Sequence, residues 1–235
     1  MTILALDTSA KAASVCLACE DKIIGEFFIN TALTHSQTLI PMAEQLCQNT
    51  GVSLDAIDAV AVNAGPGSFT GVRIGVAAAK GLAFAHDLPC VSVSTLESMA
   101  YNMTGSSGIV CAVMDARCSQ VYNALFRVGG GKPERLCDDR ALSLEDLRLD
   151  LKRYPEPVTL VGDGAEITAE FLADKLDNVS LAPVNRRTQT ASSVACAAFE
   201  RLLNNDTLSA DMLMPVYLRL PQAQRELNKK AQAGK

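Results

Sequence analysis

The chain has 235 residues, 49% of them hydrophobic and 20% charged, with 15 Gly, 9 Pro, 8 Cys and no Trp. That length carries one large or two modest domains, and the composition excludes a disordered or low-complexity chain. A formal net charge of −5 argues against the chain as the main nucleic-acid binder, and no apolar run reaches membrane-spanning length.

The opening MTILALDTSA lacks a basic leader region and carries Asp7 inside its apolar run, so a cytoplasmic protein without a signal peptide is expected. Residues 3–29 read as three strands, ILAL, SVCLACE and IIGEFFI, separated by polar turns. Residues 36–49 read as an amphipathic helix with Leu39, Met42, Ala43 and Leu46 on one face, ended by Gly51. AIDAVAVN is a fourth strand, and NAGPGSFTGVRIGVAAAKGLA, residues 63–83, then turns on glycines into a long helix that Ser68 or Thr70 can cap. PCVSVS is a fifth strand, and STLESMAYNM starts a helix with Ser94 and Glu97 spaced as a capping box.

After the small-residue joint Gly105–Gly108 the pattern restarts. IVCAVMDA echoes ILALDTSA, and SQVYNALFRV follows as its hairpin partner. Residues 135–143 read as a third strand, LEDLRLDLKRY as a helix, VTLVGD as a strand and AEITAEFLADKL as a helix. VSLAPV is a short strand and TASSVACAAFERLLN a final helix. The shared order, with Asp7 and Asp115 at equivalent first turns, indicates a duplicated α/β unit: a lobe over 1–104, a second over 105–218, and a basic tail over 219–235. Two such lobes enclose a cleft that both first-hairpin turns face. The tail holds Arg219, Arg225, Lys229, Lys230 and Lys235 against Glu226, a composition that suits a solvated end as well as tRNA contact.

The glycine turn invites comparison with phosphate loops, because exposed N–H groups at a helix start attract anions. It lacks the Gly-Lys-Ser/Thr of a P-loop, and Thr70 stands where a dinucleotide fingerprint needs its third glycine. A purely structural turn is the competing reading. In the helix beyond it, Gly71, Gly75 and Ala79 recur every four residues, so one face has almost no side-chain volume and admits close approach. That face either packs on the chain's own sheet or, as the sharper reading, belongs to a helix that meets a partner. Arg73, Ala77 and Lys80 share a second face, with Val72, Val76 and Ala83 between.

Asp7, Thr8 and Ser9 form an acid-hydroxyl turn that suits a nucleotide phosphate or its hydrated magnesium. Asp115 with Arg117 stands opposite, and Gly162 and Gly164 flank Asp163 where a base or ribose would approach the backbone. The same residues also make the tight turns such strands need. Cys16 and Cys19 form a lone C-x-x-C on a strand, where they point to opposite faces, and Cys47, Cys111 and Cys196 read as small core residues. His35 and His86 lie in different segments with no zinc spacing, and no serine sits in a G-x-S-x-G elbow. His35 is placed to cap a helix or touch a partner.

LALDTSA, THSQTLIPM, NAGPGSFTGVRIGVAAAKGLA and PVYLRLPQA together resemble the TsaB family, also called YeaZ, over essentially the whole chain. The resemblance implies duplicated lobes of the actin-like ATPase class (ASKHA, ribonuclease-H-like) with mixed five-stranded sheets. It implies a non-catalytic subunit that pairs with the catalytic subunit TsaD and the ATPase TsaE to make N6-threonylcarbamoyladenosine in tRNA, which is reached only through the complex. In TsaD relatives the strand after the AKGLA helix leads into a His-x-x-x-His metal motif. Here Thr95 and Met99 fall at those positions, so no metal site and no catalytic residue are expected.

By the same resemblance, partner contact falls on residues 36–49 and 69–86, here His35, Ser36, Leu39, Met42, Ala43, Leu46, Val72, Arg73, Gly75, Val76, Ala79 and Lys80. This surface also supports a homodimer in isolation, and Gly75→Glu is expected to abolish pairing while leaving a folded monomer. No cofactor is certain. ATP or ADP with magnesium is admitted at the cleft or at the partner junction. A stand-alone actin-like kinase or ATPase, and a regulator of partner stability, are the rival readings.

Overall fold

The computed structural model describes residues 1–31 and 33–219; Arg225, Glu226, Lys229, Lys230 and Lys235 of the expected tail lie outside them. Strands β1 (Thr2–Asp7), β2 (Ala13–Cys19) and β3 (Lys22–Ile29) form an antiparallel meander. Helix α1 (His35–Thr50) then leads to β4 (Ala59–Gly65), and α2 (Phe69–Ala85) to β5 (Cys90–Ser94), giving a five-stranded sheet in the order β3-β2-β1-β4-β5. β1, β2 and β4 are almost wholly buried because helices cover both faces of this sheet, which explains their near-continuous apolar runs.

After α3 (Thr95–Tyr101), β6 (Ser107–Asp115) and β7 (Gln120–Gly129) open the second sheet. The third strand expected at 135–143 is two pieces, β8 (Glu134–Arg135) and β9 (Arg140–Ser143), both pairing β7, so this sheet has six strands rather than five. Helix α4 (Leu144–Leu151), β10 (Val158–Val161), α5 (Ala165–Leu172) and β11 (Val179–Leu181) follow. A short helix α6 (Val184–Arg187), which no periodicity announces, precedes α7 (Ala191–Leu203). β6 lies antiparallel to β7 and parallel to β10, as β1 lies to β2 and β4, so the duplication is present in the pairing itself.

The layers interleave. α1 and α2 cover one face of the first sheet through Leu39, Leu46, Val72 and Val76. Its other face is covered by α7, from the second half of the chain, through Val194, Ala198 and Phe199. α3, from the first half, packs by Leu96 and Met99 on the second sheet, while α4 and α5 close its far side. The segment after α7 returns to the first lobe: Leu208 pairs Cys90, Leu213 is fully buried in the α1–α2 core, and Val216 N donates to the Ala64 carbonyl oxygen at 2.7 Å.

Candidate functional site: the interlobe cavity and the outer helices

The two first-hairpin turns do face one another. Ser9, Ala10 and Lys11 form one wall and Asp115, Ala116 and Arg117 the other of a cavity of about 780 Å³. The starts of α1 (Thr34–Ser36) and α2 (Gly67–Gly71) open into it, and residues 216–219 run along its mouth. Neither helix has an acidic residue in its first turn, so no carboxylate offsets either dipole, though Ser68 Oγ accepts from Gly71 N at the start of α2. With Lys11, Arg117 and Arg219 against Asp115 and Asp163, the cavity favours an anion. Arg219 Nη1 reaches across to the Ala116 carbonyl oxygen at 3.3 Å, joining the two walls.

The residues expected to hold a magnesium nucleotide do not converge here. Ser9 and Asp115 line the cavity, but Asp7, Thr8, Gly162 and Gly164 do not. Thr8 turns its hydroxyl away and donates to the Gly71 carbonyl oxygen at 2.8 Å. Asp7 lies beneath the turn, fully buried, its Oδ1 accepting from Ser9 N, Ser9 Oγ and Asn63 Nδ2. A side chain at Gly162 would meet Met99, and one at Gly164 the backbone of Met114 and Asp115, so both glycines are filled positions rather than a cradle. The residues present therefore do not fit a magnesium nucleotide held as the sequence suggested.

Thr95 and Met99, at the start and one turn along α3, are both fully buried. Ser94 caps that helix by accepting from Glu97 N, but the expected return bond is missing because the Glu97 carboxylate pairs with Arg201 at 2.5 Å. Asp163 is open toward the cavity, yet the protein crowded round its carboxyl pushes it up to about 6; Asp115 adds to this while Gln189 opposes it. An acid whose folded value is raised adds stability below its unfolded value, near 3.8, and loses it as pH climbs through the folded one. In thermal melts across this range, wild type is therefore expected to fall relative to Asp163→Asn between about pH 4 and 6, then run parallel above.

The partner residues divide. Leu39, Ala43, Leu46, Val72, Gly75, Val76 and Ala79 are interior, so a folded lobe cannot offer them to another chain. The small-residue face is approached not by a partner helix but by the chain's own first turn: a Cβ on Gly71 would strike the Thr8 carbonyl oxygen, and one on Gly75 would lie 2.5 Å from Thr8 Oγ1. His35, Ser36, Met42, Arg73 and Lys80 remain at least partly accessible. His35 Nε2 donates to the Ala10 carbonyl oxygen at 2.8 Å, pinning the first turn rather than capping α1. Cys111 is core as expected and Cys47 half-buried, but Cys196 lies on the exposed side of α7.

Sequence reasoning missed the strap over residues 208–219. Arg73 stacks on Phe69, 4.1 Å from the ring centroid, and donates through Nε to Tyr217 Oη at 2.8 Å. Lys80 Nζ reaches the Asp211 carbonyl oxygen at 3.1 Å. The strap thus runs along the charged face of α2. PVYLRL carried the signal as a pattern, but nothing local in it states which surface it covers. The outer layer that results exposes Ile40 (44%) on α1, Phe84 (82%) on α2, and Met212 (63%) and Met214 (62%) on the strap.

A family model described as "TsaD: tRNA N6-adenosine threonylcarbamoyltransferase" matches residues 23–227. The tRNA threonylcarbamoyladenosine biosynthesis protein TsaB of Bacillus subtilis is 33% identical over 226 residues, covering 95% of this chain and 96% of that protein. The solved structure of YeaZ from Pseudomonas aeruginosa superposes with a TM-score of 0.77 at 29% identity, covering 92% of this chain and 99% of the other. An activator of 2-hydroxyisocaproyl-CoA dehydratase from Clostridium difficile, solved with bound ADPNP, matches with a TM-score of 0.50 at 11% identity over 88% of this chain and 97% of that one. That last likeness concerns the fold alone: duplicated α/β lobes of the actin-like ATPase class. No helix among the described residues is long and apolar enough to cross a membrane.

Proposed function

Because the chain belongs to the TsaB family of tRNA threonylcarbamoyladenosine biosynthesis proteins, we propose that it is the non-catalytic subunit that binds and activates a TsaD-type catalytic subunit. The supporting observation is the outer layer: Ile40, Phe84, Met212 and Met214 leave large apolar side chains in water on elements whose other faces are already satisfied by the core. Exposed apolar surface of this kind is what a protein partner covers. A TsaE-type ATPase completes the assembly, tRNA is engaged through the complex, and the same face supports a homodimer when the partner is absent. No cofactor is assigned to the cavity, where the nucleotide residues do not meet; the partner junction is the place this reading leaves for ATP or ADP with magnesium. The setting is the cytoplasm.

Analytical ultracentrifugation of the purified chain with a TsaD-type subunit tests pairing. The expected result is a stoichiometric complex, and a chain that hydrolyses ATP alone at an enzyme's rate while failing to form one would overturn the reading.

A further inference from the structure

Asp7 ends β1 and Asn63 lies two residues before the end of its parallel neighbour β4; they are 0% and 1% exposed. Asn63 Nδ2 donates to Asp7 Oδ1 at 2.9 Å. The complementary atoms of the same two groups, Asp7 Oδ2 and Asn63 Oδ1, are both buried without a hydrogen-bond partner. Two leftover acceptors on groups already joined along one edge are what a carboxyl–amide pair leaves when its shared proton is not drawn. Among the described residues no Lys, Arg or His forms an ion pair with Asp7, and a buried carboxylate without a cation is strongly disfavoured.

We propose that Asp7 is held as a neutral carboxylic acid, its Oδ2 proton shared with Asn63 Oδ1 to close a two-bond acid–amide pair that ties β1 to β4. Oδ1, which also accepts from Ser9 N at 3.1 Å and Ser9 Oγ at 2.7 Å, is then the carbonyl oxygen of the acid, and the proton belongs on Oδ2. Burial pushes the Asp7 carboxyl up; the bonds from Ser9 and Asn63 and the charge of His35, facing it from α1, pull the other way without prevailing. From β2 only the neutral hydroxyl of its cross-strand neighbour Ser14 faces it. The acid at the end of β1 is a structural tie, not an anchor for a cation.

Asp7→Asn places an amide N–H where the acid O–H stands and preserves both bonds. Near pH 4, where the acid is still largely neutral in the unfolded chain too, its melting temperature is expected within about 2 °C of wild type, whereas Asn63→Leu, which leaves the Oδ2 proton without its acceptor and takes one of three donors from Oδ1, is expected to lose about 5 °C or more. Between pH 5 and 7.5 wild type should lose ground to Asp7→Asn as pH rises, by up to tenfold in the folding equilibrium constant per pH unit until Asp7 ionises. Asp163 is present in both proteins and cancels. The carboxyl 13C shift of Asp7 in the full chain should report the protonated form at pH 6. Wild type gaining on Asp7→Asn with rising pH, or an ionised carboxyl shift at pH 6, overturns the proposal and points to a carboxylate bridged by a buried water beside Ser14.

Discussion

Gly71→Ala is expected to destabilise the protein by about 1–3 kcal/mol even though alanine is the better helix former. The methyl would enter the Thr8 backbone, and Thr8 cannot retreat because its hydroxyl is bound to the carbonyl oxygen of Gly71 itself. Relief must come from parting α2 from the end of β1, which also disturbs the His35 bond to Ala10. For a chain of this size the loss reads as a fall of several degrees, about 3–10 °C, in a calorimetric melt. Gly81→Ala supplies the contrast. A Cβ there meets nothing within 4 Å on the exposed side of the same helix, so a gain of about 0.5–1 kcal/mol is expected. Equal effects at the two positions would contradict the packing described. The same geometry removes Gly75→Glu as a test of pairing, since the variant is expected to unfold the lobe.

Phe84→Asp should instead separate binding from folding. The side chain is exposed at the far end of α2, so the melting temperature is expected to stay within about 2 °C of wild type. Affinity for a TsaD-type subunit, read by calorimetric titration, is expected to fall roughly 30-fold or more, the loss of about 2 kcal/mol typical of a central aromatic anchor. Ile40→Asp on α1 should act in the same direction. Leu149→Asp, an exposed apolar position on α4 across the molecule, should leave affinity unchanged. Loss of binding by Leu149→Asp, or none by Phe84→Asp, would move the contact surface elsewhere.

Much of the fold was legible because period and punctuation agree: alternating or continuous apolar runs end at Asp7, Gly65 and Asp115, and helices start at Ser68, Ser94 and Ser143, each capping through its hydroxyl. The repeated Asp-turn announced the duplication and the facing walls of the cavity. What sequence could not supply was which of two surfaces a face would meet. A stripe of Gly71, Gly75 and Ala79 reads the same whether a foreign helix or the chain's own Thr8 lies against it. Likewise Asp7 looks like a cleft acid until its burial beneath the turn is seen, and the strap contact between Tyr217 and Arg73 joins residues too far apart in sequence for any local pattern. The third strand of the second lobe was misjudged because Cys137 to Asp139 interrupt it, breaking one pairing into two.

In the proposed function, this chain enables tRNA modification by covering a catalytic partner with the outer layer of α1, α2 and the strap. The direct test is nucleoside mass spectrometry of tRNA from cells lacking the chain and carrying either wild type or Phe84→Asp at equal protein level. Wild type should restore N6-threonylcarbamoyladenosine, with Phe84→Asp restoring little of it. Full restoration by the variant, or modified tRNA at normal level with no chain present, would contradict that role.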